Sequence, residues 1–225
     1  MELRFAAALA AGFFTAGSAS AAIIYDNGGP NQTNLYFGDS SYVYTEAAEN
    51  FTLAAGANTI GDVHWWGGCA YSTCPTGAFT LNFYNNASGL PSSLISSYNV
   101  GSAHQTLTGN AISLVLIPEY SYSANIPALT LAAGTPYWLG ISDSATTDVT
   151  WGWETTSTVH DSAHAQFCND PDTCASGGGW ESHPNDLAFN LTSREVSAVP
   201  EPGTLTLLGM GLAGFCALRR RRRVV

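Results

Sequence analysis

Between residues 22 and 198 the chain consists of short runs of alternating or apolar residues, and no stretch keeps the 3.6-residue period of a helix. Typical runs are "AIIYD", "FTLNFY", "AISLVLI", "PYWLGI" and "LAFNL", separated by glycine, asparagine, proline and serine clusters such as "NNASGLPSS". Many short strands at regular spacing are typical of a sandwich or a barrel. We therefore predict an all-β fold, a single jelly-roll-like β-sandwich in one domain.

The sequence Thr-Leu-Ala-Ala-Gly occurs twice, at residues 52–56 and 130–134. Each copy predicts a strand that ends in a glycine turn and feeds another strand. The repeat is compatible with duplicated halves, but reuse of a convenient turn is the better explanation.

Positive charge is almost absent from this body. The chain contains no lysine, Arg194 is the only basic residue between 22 and 198, and the formal charge of that region is −14. Such a surface repels the phosphates of nucleic acids and anionic lipids. We therefore expect no nucleic-acid partner.

The N-terminus reads as a secretory signal peptide spanning residues 1–21. Arg4 precedes an apolar stretch, and Ala19, Ser20 and Ala21 form the small-residue pattern that signal peptidase cleaves. The rest of the chain is therefore predicted to be exported.

The C-terminus joins an apolar run to a block of arginines. Residues 203–218 carry no charge and as a helix would span about 24 Å, so with snorkelling arginines they predict a transmembrane helix. Clustered arginines mark the cytoplasmic side of such a helix. The predicted cytoplasmic anchor comprises Arg219, Arg220, Arg221, Arg222 and Arg223.

This tail resembles the PEP-CTERM sorting signal of Gram-negative bacteria. The order of a Pro-Glu-Pro turn, an apolar span and an arginine block carries the resemblance, with a sorting motif formed by Val199, Pro200, Glu201 and Pro202. The resemblance implies a membrane-anchored precursor that an exosortase processes near this motif, and a connection with exopolysaccharide and biofilm. The two prolines lack backbone donors, so they stop the helix and keep the segment extended for a protease. The body is also similar to the β-sandwich domains that such proteins often carry.

Four cysteines lie in the body, which in an exported protein predicts disulfides. Cys69, Cys74, Cys168 and Cys174 allow three pairings, of which the local pairs Cys69–Cys74 and Cys168–Cys174 require the least chain closure. Cys216, in the predicted membrane span, reads as a small apolar residue.

No nucleophile elbow and no phosphate-binding loop is present in the sequence. His160 and His164 in "HDSAH" resemble a zincin motif, but that chemistry requires a helix and the surrounding sequence is typical of strands and turns. Glu154 and Glu181 are candidate sugar-flanking acids only if their carboxyl groups lie about 5 to 9.5 Å apart. Without a recognisable ligand set we predict no catalytic residues, no metal and no cofactor.

Two of the acidic residues form one further candidate site, for calcium. Asp170 and Asp172 offer oxygen ligands for calcium, but the spacing of an EF-hand is missing. We do not predict a calcium site there.

The tryptophans are the best functional clue. Trp65 and Trp66 are adjacent, so in a strand one faces the core and the other faces outward. Val63 shares the parity of Trp65, which predicts that Trp65 is buried and that Trp66 is the exposed candidate glycan contact. Trp151 and Trp153 share one face. The alternative is that all these rings belong to the core.

These observations predict an exported, exosortase-processed protein of the cell surface or extracellular matrix, with signal peptidase and exosortase as processing partners. Its expected role is structural or adhesive and non-catalytic, with an exopolysaccharide as the candidate ligand. An extracellular glycan-active hydrolase is the alternative. A cleft with two facing carboxylates would favour the hydrolase, and a flat face with one bare tryptophan would favour binding.

Overall fold

The computed structural model describes residues 21–40, 42–70, 74, 77–113, 116–144, 150–175 and 177–193. The predicted membrane helix, Cys216, the sorting motif, the arginine anchor and nearly all of the signal peptide lie outside these residues. Within the described residues no helix is long and apolar enough to cross a membrane.

The described residues form thirteen strands. They are β1 Ile23–Asp26, β2 Pro30–Phe37, β3 Tyr44–Thr52, β4 Thr59–Cys69, β5 Phe79–Ala87, β6 Leu90–Gly101, β7 His104–Ile112, β8 Ile117–Thr130, β9 Pro136–Asp143, β10 Trp151–Thr156, β11 Ala163–Cys168, β12 Gly179–Pro184 and β13 Phe189–Thr192.

The strands form two antiparallel sheets. In the seven-stranded sheet A the order is β1-β13-β4-β10-β2, and β8 pairs with β4 and with β7. The six-stranded sheet B has the order β12-β11-β3-β9-β5-β6. The predicted all-β fold with two sheets is therefore confirmed.

Aromatic side chains from both sheets fill the space between them. Trp65, Trp151 and Phe189 of sheet A and Phe51 and Phe79 of sheet B are fully buried or nearly so. The ring of Phe79 lies 5.3 Å from that of Trp65 and 5.1 Å from that of Trp151, both edge to face. Aromatic pairs prefer this edge-to-face geometry. The inward residues of both sheets thus form one core.

Sheet B carries a second, smaller core on its outer face. Ala48, Trp138 and Ala165 are buried there, and Tyr84 and Trp180 pack against them. The half-buried Glu46 accepts hydrogen bonds from Asn82 Nδ2 at 3.0 Å and from the Tyr84 hydroxyl at 3.0 Å. Burial raises the pKa of this carboxyl to about 7, although both hydrogen bonds act in the opposite direction.

The repeated Thr-Leu-Ala-Ala-Gly segments lie side by side. Each ends a strand, β3 or β8, and enters a turn in which glycine adopts a positive φ, 79° at Gly56 and 73° at Gly134. The two turns are joined because the Gly134 N–H donates to the Leu53 carbonyl at 2.9 Å and Asn58 Nδ2 donates to the Leu131 carbonyl at 2.8 Å. The predicted strand–turn–strand pattern is confirmed at both copies.

One strand assignment from the sequence is wrong. The run "AISLVLI" was expected to be one strand, but β7 ends at Ile112 and β8 begins at Ile117. Ser113 and Leu116 have positive φ values of 64° and 53°, and the Leu116 N–H donates to the Ser113 carbonyl. The turn places Leu116 in solvent with 73% of its surface exposed, so hydrophobicity alone is misleading there.

Candidate functional site

The chain has six tryptophans, and the structure separates them by their partners. Trp65, Trp138, Trp151 and Trp153 are buried, whereas Trp66 and Trp180 are half-buried. Trp180 packs against Tyr84 and Phe167 with ring centroids 5.5 and 5.3 Å away. Among the described residues, Trp66 alone of the six has neither a ring partner nor a hydrogen bond from its side chain.

The alternation of β4 explains why the two adjacent tryptophans differ. Val63 and Trp65 point into the core and are fully buried, while His64 and Trp66 point to the opposite face of sheet A. The prediction that Trp65 is the core residue and Trp66 the more exposed one is confirmed. Its role as a glycan contact remains a prediction.

Polar residues of the neighbouring strands surround Trp66. Ser121 of β8 pairs with Trp66, and Thr106 of β7 pairs with Ser121. Ser123 and His104 continue the same two strands in register with His64. We call this surface the Trp66 face; its members are Asp62, His64, Trp66, His104, Thr106, Ser121 and Ser123.

Asp62 and His64 form an ion pair on this face when the histidine is protonated. His64 Nε2 lies 3.2 Å from Asp62 Oδ1, and the side chains are 37% and 17% exposed. Burial raises the pKa of Asp62, and His64 partly offsets that effect. The face therefore carries one partly shielded negative charge.

A cleft of about 640 Å³ adjoins the Trp66 face. It lies between β6 and β8 and shares His104 and Ser123 with the face. Its other polar lining comes from amide and hydroxyl side chains, namely Ser97, Tyr98, Asn99, Ser102 and Asn125. These groups donate and accept hydrogen bonds without a formal charge.

Two carboxyl groups meet on the same side of sheet A. Glu119 and Glu154 are 1% and 0% exposed and share a hydrogen bond. Glu119 lies two residues before Ser121, and Trp153, which precedes Glu154, pairs with Gly67 of β4. The carboxyl pair therefore adjoins Trp66.

Gln32 of β2 holds the carboxyl pair in place. Its backbone N–H donates to Glu154 Oε1 at 2.6 Å and its Nε2 donates to Glu119 Oε2 at 2.7 Å. Asn110 Nδ2 donates to Glu119 Oε1 at 3.1 Å. The fourth oxygen, Glu154 Oε2, is buried and accepts no hydrogen bond from the described residues.

The carboxyl pair needs a proton to be stable. Burial, followed by the negative charge of Glu119, raises the pKa of Glu154 to about 8, and the Gln32 N–H acts in the opposite direction. Two carboxylates in contact cannot both be ionised without a nearby cation. At neutral pH Glu154 is therefore the protonated member of the pair.

The structure separates the residues that the sequence had grouped as catalytic candidates. Glu154 belongs to sheet A and Glu181 to β12 at the edge of sheet B, so they do not form the pair considered from the sequence. The "HDSAH" segment is not helical: His160 precedes β11, whereas His164 lies within it. A zincin arrangement is therefore absent.

His164 is instead a buried neutral histidine. Its Nδ1 lies 2.8 Å from the Asn185 carbonyl, and its ring lies 3.9 Å from that of Tyr36 and 5.6 Å from that of His183. Burial lowers the pKa of His164 to about 4.

Three further carboxylates, of Glu49, Asp161 and Asp186, lie with their oxygens within 4.8 Å of one another. Such oxygens suit a calcium ion, but all six already accept hydrogen bonds from N–H groups. The donors are the backbones of Asn50, His160, Ala163 and Leu187 and the Asn50 amide. The cluster is thus satisfied by dipoles of the fold. Asp170, a calcium candidate from the sequence, accepts from Thr173 and the Asp172 N–H within its own turn.

Both local disulfides are present. Cys69 is bonded to Cys74 and Cys168 to Cys174, with Cα atoms 5.1 and 5.8 Å apart. Each follows the end of a strand, β4 or β11, and fixes the chain as it leaves the sheet. The Cys69–Cys74 bond lies at the end of the strand that carries Trp66.

Comparison with known proteins identifies a sorting motif at the end of the chain. No curated protein and no solved structure matches the sequence significantly. Residues 198–223 match the family model of the PEP-CTERM protein-sorting motif. The end of the chain thus carries a PEP-CTERM sorting motif, which indicates an exosortase-targeted protein of the cell surface or the extracellular space.

Proposed function

We propose that this protein is a non-catalytic structural or adhesive component of an exopolysaccharide matrix or biofilm. In this proposal signal peptidase removes residues 1–21, a membrane helix at 203–218 retains the precursor, and an exosortase releases a jelly-roll-like body. The body then holds the matrix polysaccharide on the Trp66 face.

Trp66 is the observation that supports glycan binding. Trp66 is half-buried, has no aromatic ring partner and no side-chain hydrogen bond among the described residues, and lies beside hydroxyl and imidazole side chains. An aromatic ring that offers an apolar face and a polar tip is enriched at binding surfaces. The cleft beside it extends the surface with amide and hydroxyl groups.

The carboxyl pair favours binding over hydrolysis. Glycosidases hold their two carboxyl groups about 5 Å or more apart, with room for the sugar bond or a water. Glu119 and Glu154 are in contact and buried, so they lack that space. Release of reducing sugars that depends on either residue would instead favour the hydrolase alternative.

Replacing Trp66 with alanine should weaken retention on the matrix polysaccharide by roughly tenfold or more, as expected for an aromatic contact at the centre of an interface. Co-sedimentation of purified protein with the polysaccharide measures this. Trp180→Ala is the matched control, because that ring is also half-buried but has protein partners on the other sheet. Unchanged retention of the folded Trp66→Ala variant would contradict the proposal.

Replacing Pro200 and Pro202 together with alanine should block processing. Without the prolines the membrane helix can extend upward, and the protease loses its extended substrate. The uncleaved precursor should accumulate in the membrane fraction, as detected by immunoblotting. Normal maturation of the double variant would show that the prolines are dispensable.

A further inference from the structure

The charge of the described residues restricts which glycan the body can hold. They include no lysine and no arginine, so every charged side chain except histidine is a carboxylate. The predicted body as a whole has a formal charge of −14. An anionic polymer approaching this surface would meet repulsion over about a Debye length, roughly 8 to 10 Å at physiological salt.

The local groups act in the same direction. Asp62 belongs to the Trp66 face, and Glu119 and Glu154 adjoin it. The eleven residues that line the adjoining cleft contribute hydroxyl, amide, imidazole and apolar groups, and no side chain that would pair with a uronate or a sulfate. Neither the face nor the cleft thus offers a lysine or an arginine.

The face and the cleft also form one continuous surface. Ser121 lies beside Trp66, and Ser123 lies two residues further along β8, about 7 Å away at the usual strand rise. Ser123 and His104 then line the cleft. A sugar chain with one ring on Trp66 can therefore extend toward Asn125 and Asn99.

We propose that the Trp66 face and its adjoining cleft bind an uncharged polysaccharide and exclude polymers that carry uronate or sulfate groups. This inference rests on the proposed glycan-binding function and adds the chemical class of the ligand. Recognition then depends on stacking over Trp66 and on hydrogen bonds from Ser121, Ser123 and the cleft amides. Binding of this kind is nearly independent of salt, because counterion release makes no contribution to it.

The test uses the processed protein isolated from its exporting host, together with the host's own matrix polysaccharide. Anion exchange divides that polysaccharide into a neutral fraction and an acidic fraction, and each is immobilised. Retention is measured with a chelator at about pH 7.5, where ordinary histidines are neutral, and at about 0.05 and about 0.5 M NaCl. We expect retention on the neutral fraction at both salt concentrations, and its loss in Trp66→Ala.

The outcomes distinguish this inference from the proposed function. Trp66-dependent retention on the acidic fraction would overturn the uncharged ligand and leave glycan binding intact. Retention on neither fraction, with the protein folded, would overturn glycan binding and the inference with it.

A positive charge introduced beside Trp66 tests the role of charge more directly. At the lower salt concentration, Ser121→Lys should be retained on the acidic fraction at least about tenfold more strongly than wild type. At the higher salt concentration this extra retention should disappear. Ser121→Gln, of similar length and without charge, is the control and should not gain retention. If folded Ser121→Lys gains no retention on the acidic fraction at the lower salt concentration, charge is not the basis of the selectivity and the inference fails.

Discussion

Replacing Trp65 with alanine is expected to lower the free energy of unfolding by about 3 to 5 kcal/mol, the usual cost of truncating a buried large aromatic residue. The side chain is fully buried, stacks on Tyr122 with ring centroids 5.5 Å apart and meets Phe79 edge to face. Trp66→Ala should cost about 1 kcal/mol or less, because half-buried surface is less sensitive to truncation. Denaturant unfolding of both variants measures the difference.

Trp65→Phe is the control for ring loss. The indole N–H of Trp65 has no hydrogen-bond partner in the described part of the chain, so phenylalanine removes an unsatisfied donor while keeping a ring, and should cost less than alanine. Equal destabilisation by Trp65→Ala and Trp66→Ala would mean that both rings are packed. The glycan-binding proposal would then lose its principal support.

The sequence predicts those features of the site that depend on local geometry. Strand parity separates Trp65 from Trp66 without knowledge of any partner strand. Short loops make the Cys69–Cys74 and Cys168–Cys174 pairings the simplest to close. The two glycine turns at Gly56 and Gly134 are likewise determined within a few residues.

Features that depend on pairing between distant strands are not predictable in this way. Ser121 lies beside Trp66 because β8 pairs with β4, and Glu119 meets Glu154 because their strands flank β4 on opposite sides. Alternation within one strand does not determine which strand lies next to it. The sequence grouped Glu154 with Glu181 for this reason, and only the sheet order identifies Glu119 as its partner.

The polar strand β2 is not predicted by the hydrophobic pattern of the sequence, for another reason. "PNQTNLYF" has only a short apolar stretch, and Gln32 within it has a positive φ of 56°. The strand pairs with β10, where Tyr36 lies opposite Trp153. Gln32 adds hydrogen bonds to Glu119 and Glu154 and accepts from the Ser113 N–H at 2.8 Å. Tertiary hydrogen bonds thus override weak strand propensity.

Stability is expected to decrease as the pH rises from about 4.5 to about 8. The folded protein retains the Glu154 proton up to about pH 8, whereas an ordinary glutamate releases it near 4.5. The folded state therefore binds more protons than the unfolded state over this interval, and the free energy of unfolding falls with pH. Glu46 acts in the same direction up to about pH 7, and so does Glu49, whose pKa burial also raises.

His164 limits the trend on the acid side. Its pKa is lowered from 6.5 to about 4 by burial, so the stability that depends on its neutral form is lost as the pH falls through that interval. Burial also raises the pKa of Asp62 and lowers that of His183. Four carboxyl groups with raised pKa values thus outnumber the two histidines between pH 4.5 and 6.5. Maximal stability is thus expected near the lower end of that range.

Glu154→Gln should remove a large part of the decrease. The amide can donate to Glu119 and accept from the Gln32 N–H as the protonated acid does, but it cannot ionise. At about 1.4 kcal/mol per pKa unit, the shift from 4.5 to about 8 limits the gain at pH 8 to about 5 kcal/mol, and relaxation of the site should reduce it to roughly 2 to 3 kcal/mol. Urea unfolding at several pH values should show this variant more stable than wild type at pH 8 and similar at pH 4.5.

Asp172→Asn, which removes one exposed charge, is the control and should change stability by less than about 0.5 kcal/mol. If Glu154→Gln instead destabilises the protein at pH 8 and leaves the slope unchanged, Glu154 is ionised in the fold and the shared proton is refuted.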